Sequence, residues 1–159
     1  MRIALFAGSF DPITLGHVDI IDRAAQMFDK VIVGLGENTS KNYLFPFELR
    51  HEMVAKTFEG HTTIEVLSFR GLTVEVCRKT GARYMVRGLR SGTDYDYERH
   101  IAEMNRQLYP EAESLFLISR PQFADITATI VREIYRNGGD VDKFVPKAVI
   151  PYLNDFNKS

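Results

Sequence analysis

Near the amino terminus, the string Gly8-Ser9-Phe10-Asp11-Pro12-Ile13-Thr14-Leu15-Gly16-His17 links the apolar run Ile3 to Ala7 to a segment with helical spacing. These residue types in this order suit phosphate. Gly8 and Gly16 carry no Cβ and let the backbone come close to a bulky ligand. Ser9 offers a hydroxyl at the end of the apolar run. His17 falls in the first helical turn, where free N–H groups and the helix dipole favour an anion. The string therefore reads as a phosphate pocket with an imidazole over it.

Two later loops carry related chemistry. Arg87-Gly88-Leu89-Arg90 follows a short apolar run and sets two guanidinium groups at a strand end, suited to planar phosphate contacts. The plainer reading is a basic turn paired with Asp94 or Asp96. Tyr95 and Tyr97 suit either an adenine pocket or simple packing. Phe123-Ala124-Asp125-Ile126-Thr127-Ala128-Thr129 leads into another helix, where hydroxyls and free N–H groups can take the outer phosphates of a nucleotide. Asp125 or Thr127 could equally cap that helix, with Arg132 and Glu133 on a wet face. Gly34-Leu35-Gly36 lacks the third glycine of a dinucleotide fingerprint and runs into a polar loop, and no Walker loop is present. Cys77 lies in an apolar helical stretch and reads as core, while His51, His61 and His100 lack metal-ligand spacing.

These loops need a scaffold. The chain has 159 residues, 45% hydrophobic and 26% charged, the balance of an ordinary globular domain rather than a disordered chain. Twenty Lys and Arg against 21 Asp and Glu leave a net charge of -1, which argues against a nucleic-acid coat or a polybasic membrane anchor. One cysteine excludes an intrachain disulfide. The leading apolar run is too short for a signal peptide, and no stretch is long enough to span a bilayer, so a soluble cytoplasmic protein is expected.

Apolar runs at Ile3 to Ala7, Val31 to Leu35, Ile64 to Leu67, Tyr84 to Val86 and Leu115 to Ile118 read as strands. Helical spacing covers Gly16 to Phe28, with Val18, Ile21, Ala25 and Phe28 inward and Asp19, Asp22, Arg23 and Gln26 elsewhere on the wheel. Further helices are expected at Phe47 to Phe58, Thr73 to Lys79, Asp94 to Leu108 and Thr127 to Arg136. A last one is expected to dock over about 146–156. Glu37 to Leu44 reads as an exposed polar loop holding Lys41. Strand and helix alternating with short links imply one α/β domain over 1–159: a doubly wound, Rossmann-like, five-stranded parallel sheet with helices on both faces. Ligands of such sheets bind beyond the carboxyl ends of the strands, where these loops lie.

On these residues the chain resembles the nucleotidyltransferase superfamily with the (His/Thr)-x-Gly-His motif, here Thr14-Leu15-Gly16-His17. RGLR, the acidic-aromatic stretch ending in Glu98, Met104-Asn105-Arg106 and Gly139-Asp140-Val141 narrow the resemblance to the bacterial phosphopantetheine adenylyltransferase family, in order from Ile3 to about Pro146. That family joins ATP to 4′-phosphopantetheine, releasing pyrophosphate and dephospho-coenzyme A. The resemblance implies that His17 stabilises the transition state and contacts ATP, with Lys41 and Arg90 also serving catalysis. It implies ATP contacts from Ser9, Phe10, Gly88, Leu89, Arg90, Glu98 and Phe123 through Thr129 (Ala124, Asp125, Ile126, Thr127 and Ala128 among them). Ser9, Lys41, Thr73 and Arg87 are implied to hold phosphopantetheine. Ser9 stands where the family often has Thr, and Ala128 interrupts what is commonly a serine run. Mg2+ held by ATP phosphates and water, a homohexamer and coenzyme A as an inhibitor are further implications. The rival readings are a nicotinate-nucleotide adenylyltransferase or cytidylyltransferase of the same superfamily, or a noncatalytic nucleotide-binding regulator.

Overall fold

The computed structural model describes residues 1–38 and 40–157. Five strands, β1 (Ile3–Gly8), β2 (Lys30–Glu37), β3 (Ile64–Arg70), β4 (Tyr84–Leu89) and β5 (Glu113–Ile118), form one sheet in the order β3-β2-β1-β4-β5. Every pairing is parallel. Six helices alternate with them: α1 (Leu15–Ala25), α2 (Phe47–Thr57), α3 (Thr73–Thr80), α4 (Gly92–Leu108), α5 (Ala128–Arg136) and α6 (Ile150–Phe156). The expected doubly wound α/β fold is present.

Strand alternation sorts the core into two layers. Ala4 and Phe6 of β1, with Val31 and Val33 of β2, face the larger cluster, which takes in Ile20, Ile21 and Ala24 of α1, Met53 of α2, Val131 of α5 and Leu153 of α6. Leu5, Ile32 and Met85 point to the other face, against Val76 and Cys77 of α3. A parallel sheet needs this double cover because crossover helices bury both faces. Cys77 is fully buried and burial pushes its thiol up to about 11, so it is core rather than a nucleophile. In α6 Leu153 is buried and its carbonyl accepts from the Tyr135 hydroxyl at 2.7 Å. Among the described residues no helix is long and apolar enough to cross a membrane.

One sequence expectation changes. Asp19, expected on the polar side of α1, is buried beside Ile20, Ile21 and Ala24, while Val18 is only half-buried. Arginines supply what water would otherwise give that carboxylate. β5 is an edge strand with half-buried residues, and Ile118 is 75% exposed. The chain runs outward from β1 to β2 and β3, then returns to β4 and β5. A crevice therefore opens between the carboxyl ends of β1 and β4.

Candidate active site

The backbone after β1 turns sharply. Phe10 sits in the left-handed region at φ 46°, a conformation that costs a non-glycine residue about 1 kcal/mol and is held here by burial. Its ring lies 5.2 Å, edge-on, from the His17 imidazole and fills the space a side chain at Gly8 would take. The missing Cβ at Gly16 likewise admits the protein's own backbone, with the Ile126 carbonyl 3.2 Å and the Phe123 carbonyl 3.7 Å from the Cβ position. The close approach expected of these glycines is thus made first to this chain's own groups, although both residues also line the cleft.

His17 is held by an N-terminal capping box. Its N–H donates to Thr14 Oγ1 at 3.4 Å, and its Nδ1 accepts from the Thr14 N–H at 3.0 Å. An Nδ1 that accepts a backbone proton cannot carry its own, which leaves the ring proton on Nε2. Burial, then the charges of Arg87 and Arg90, lower the imidazole from 6.5 to about 4. At neutral pH His17 is therefore an uncharged ring with a fixed Nε2–H donor.

Two cavities flank the switch point. The smaller, about 290 Å³, is walled by Ser9, Thr14, His17, Gly88, Arg90, Ser119 and the stretch Phe123 to Thr129 except Ala124 and Asp125. The larger, about 390 Å³, is walled by Ser9, Lys41, Tyr43, Thr73, Tyr97 and Asn105 among others. Both volumes are in the range of small-molecule sites. The cavities meet at Ala7, Gly8, Ser9, Arg87 and Glu98. Glu98 of α4 accepts from Arg87 Nη2 at 2.7 Å and Nε at 2.8 Å, and Arg87 Nη1 donates to the Ala7 carbonyl at 2.7 Å. This bidentate pair fixes a guanidinium at the seam and leaves Nη protons facing the cavities. Arg90 is paired with Asp94 at 3.1 Å, which is the turn pairing weighed from sequence. Thr127 caps α5 by accepting the Ile130 N–H at 3.1 Å, so its own O–H stays available to a ligand.

The structure thus divides the expected site residues into two groups. His17, Gly88, Arg90, Phe123, Ile126, Thr127, Ala128 and Thr129 gather at the smaller cavity, and Lys41 and Thr73 at the larger. Ser9, Arg87 and Glu98 belong to both. Phe10 lies buried beneath the cleft, and Leu89, Ala124 and Asp125 stand off both walls.

Sequence reasoning did not find the brace below the site. The buried Asp11 carboxylate accepts the N–H groups of Leu44 and Phe45, each at 2.9 Å. Buried Arg50 donates to the Ser9 carbonyl at 2.5 Å and to the Phe45 carbonyl at 3.1 Å, and stacks 3.8 Å over Tyr43. Together they pin the Lys41 loop to the turn after β1. Arg132, expected on a wet face, instead donates to the Asp11 carbonyl at 2.8 Å and to Thr129 Oγ1 at 3.2 Å. A polar residue within the Phe47–Phe58 apolar pattern was the available signal for Arg50. Among the described residues no group of three or more His, Cys, Asp or Glu is placed to hold a metal ion.

A profile of the cytidylyltransferase-like family matches residues 5–134. A phosphopantetheine adenylyltransferase of Flavobacterium psychrophilum is 44% identical over 149 residues, covering 94% of this chain and 98% of that protein. The protein of the same name from Leuconostoc mesenteroides is 45% identical over 156 residues, covering 98% and 96%. That from Brucella ovis is 44% identical over a 164-position alignment that takes in both chains completely.

Proposed function

The chain belongs to the phosphopantetheine adenylyltransferases, within the cytidylyltransferase-like nucleotidyltransferases, and on that footing we propose how its cleft moves an adenylyl group. It is an enzyme of coenzyme A biosynthesis that transfers AMP from ATP to 4′-phosphopantetheine. In our reading ATP occupies the smaller cavity, and phosphopantetheine the larger, their phosphates meeting at the Ser9–Arg87 seam. The observation that carries this reading is the convergence of the two cavities beside a neutral imidazole.

A phosphate oxygen of phosphopantetheine attacks the α-phosphorus of ATP. The new P–O bond forms as the bond to the β-phosphate oxygen breaks, and that electron pair leaves on pyrophosphate. The phosphate is already an anion, so the protein supplies neither nucleophile nor base. It supplies position and charge. Lys41 and Arg87 hold the attacking phosphate and offset its repulsion from the triphosphate. His17 Nε2–H donates to the α-phosphate oxygen whose charge grows in the transition state. Arg90 and the Thr127 and Thr129 hydroxyls at the start of α5 receive the departing pyrophosphate. Glu98 orients Arg87 through the bidentate pair.

Among the described residues no group of three or more His, Cys, Asp or Glu is placed to hold a metal ion, so Mg2+ would come with the triphosphate oxygens and water and would supply charge neutralisation there. Coenzyme A shares the pantetheine arm and would compete for the larger cavity. The homohexamer belongs to the same family reading, and Tyr97, Met104, Leu108 and Ile118, exposed on α4 and β5, are apolar residues that a subunit interface would cover. A cytoplasmic setting, where ATP is made and used, completes the reading. Pyrophosphate release from ATP with phosphopantetheine, nicotinate mononucleotide or glycerol phosphate as acceptor tests it. Release with phosphopantetheine alone is expected, and preference for another acceptor would overturn it.

A further inference from the structure

We propose that Asp19, with Arg23 and Arg120, is a positioning device for the nucleotide: it fastens the strand-to-turn segment at Ser119 to the helix that carries His17. The proposal rests on the adenylyltransferase reading of the smaller cavity. Asp19 lies two residues beyond His17 on α1, and its carboxylate is 2% exposed. A carboxylate withdrawn from water is destabilising unless its charge is matched and its lone pairs are filled. Here Oδ2 accepts from Arg23 Nη1 at 3.1 Å, and Oδ1 faces Arg120 Nη1 at 3.2 Å. Arg23 Nη1 also donates to the carbonyl of Ile118, the last residue of β5, at 2.8 Å.

One carboxylate thereby grips both sides of Ser119, through the Ile118 carbonyl on one side and Arg120 on the other. Ser119 itself lines the smaller cavity and donates its N–H to the Leu89 carbonyl at 2.8 Å, beside Arg90. The segment continues into the 3-10 turn Pro121–Phe123, whose end settles on α1 at bare Gly16. β5 has a strand neighbour on one side only, so these bonds add to the β4 ladder in placing its carboxyl end. Asp19, Arg23 and Arg120 do not themselves line the cavity, so their effect passes through Ser119, Phe123 and the start of α5. Lys41 and Thr73, on the far side of the seam, share no bond with this set.

The test compares ATP binding with phosphopantetheine use in the full-length enzyme. Arg120→Ala removes a side chain that is 55% exposed, so the fold is spared. It is expected to weaken ATP affinity, titrated calorimetrically, by about tenfold and to raise the KM for ATP alike, with less than about a twofold change in the KM for phosphopantetheine. Arg120→Lys, which keeps one charged contact to Asp19, should return ATP affinity to within about threefold of wild type. Asp19→Asn should reproduce the loss, and adding Arg120→Ala to it should do no further harm, because the pair acts as one unit. Unchanged ATP affinity in Arg120→Ala, an equal rise in both KM values, or additive losses in the double variant would each overturn the proposal; additivity would make Arg120 a direct ligand. If Asp19→Asn does not fold, the Ala and Lys variants at Arg120 still decide the matter. A wild-type enzyme that binds ATP but leaves phosphopantetheine unreacted would sink the functional reading, while the ATP titrations would still judge Asp19.

Discussion

Replacing His17 separates its two jobs. The side chain closes a capping box by accepting the Thr14 N–H at 3.0 Å, and it presents Nε2–H to the smaller cavity. His17→Ala loses both. Removing one preorganised donor from a developing oxyanion costs about 10²–10³ in turnover, or roughly 2.7–4 kcal/mol. Losing the reciprocal half of the cap costs about 1 kcal/mol of stability. His17→Gln keeps an acceptor at the position where capping boxes use Glu or Gln, and loses only the imidazole donor. Both variants are therefore expected to release pyrophosphate at least ~100-fold more slowly at saturating substrates. In urea melts Gln should lie close to wild type, and Ala about 1 kcal/mol below it. Folded His17→Ala with turnover within about tenfold of wild type would refute the assigned role. Equal melts with lost turnover would refute the capping argument and leave the catalytic one standing.

Arg87→Ala should raise the KM for phosphopantetheine by at least about tenfold, because it removes a seam cation and leaves the Glu98 carboxylate unpaired against two anions; steady-state kinetics that show an unchanged KM for that substrate would count against the seam. Acid should also reveal His17. Its folded value, about 4, lies below the ordinary 6.5, so between those two pH values the unfolded chain binds a proton that the folded one refuses. The stabilisation is complete above 6.5 and falls away as pH drops towards 4, by about 3 kcal/mol in all. Urea midpoints measured across that window should fall more steeply for wild type than for His17→Ala, and parallel curves would show that the ring titrates normally.

Much of this was legible from residue order. The five apolar runs gave the parallel sheet, and the loops after β1, β4 and β5 do converge at its carboxyl edge. The family resemblance, rather than the residues alone, assigned Lys41 and Thr73 to one substrate, and both lie at one cavity. What stayed hidden was the pairing of charges. A helical wheel sorts residues by type, so Asp19 looked solvated, and its pairing with both Arg23 and Arg120, which arrives from just beyond β5, explains its burial. The wet-face alternative for Arg132 gives way for the same reason, since its partner is the carbonyl of Asp11. Glu98 lines the smaller cavity where a nucleotide contact is expected, and its bidentate pair with Arg87, which comes from β4, is visible only in the fold.

The state of one imidazole carries the chemistry, and nitrogen-15 NMR of the histidine rings reads it directly. His17 should show a protonated Nε2 and a bare Nδ1 throughout the neutral range, with a midpoint near 4. A midpoint near 6.5, or a proton resident on Nδ1, would contradict the account.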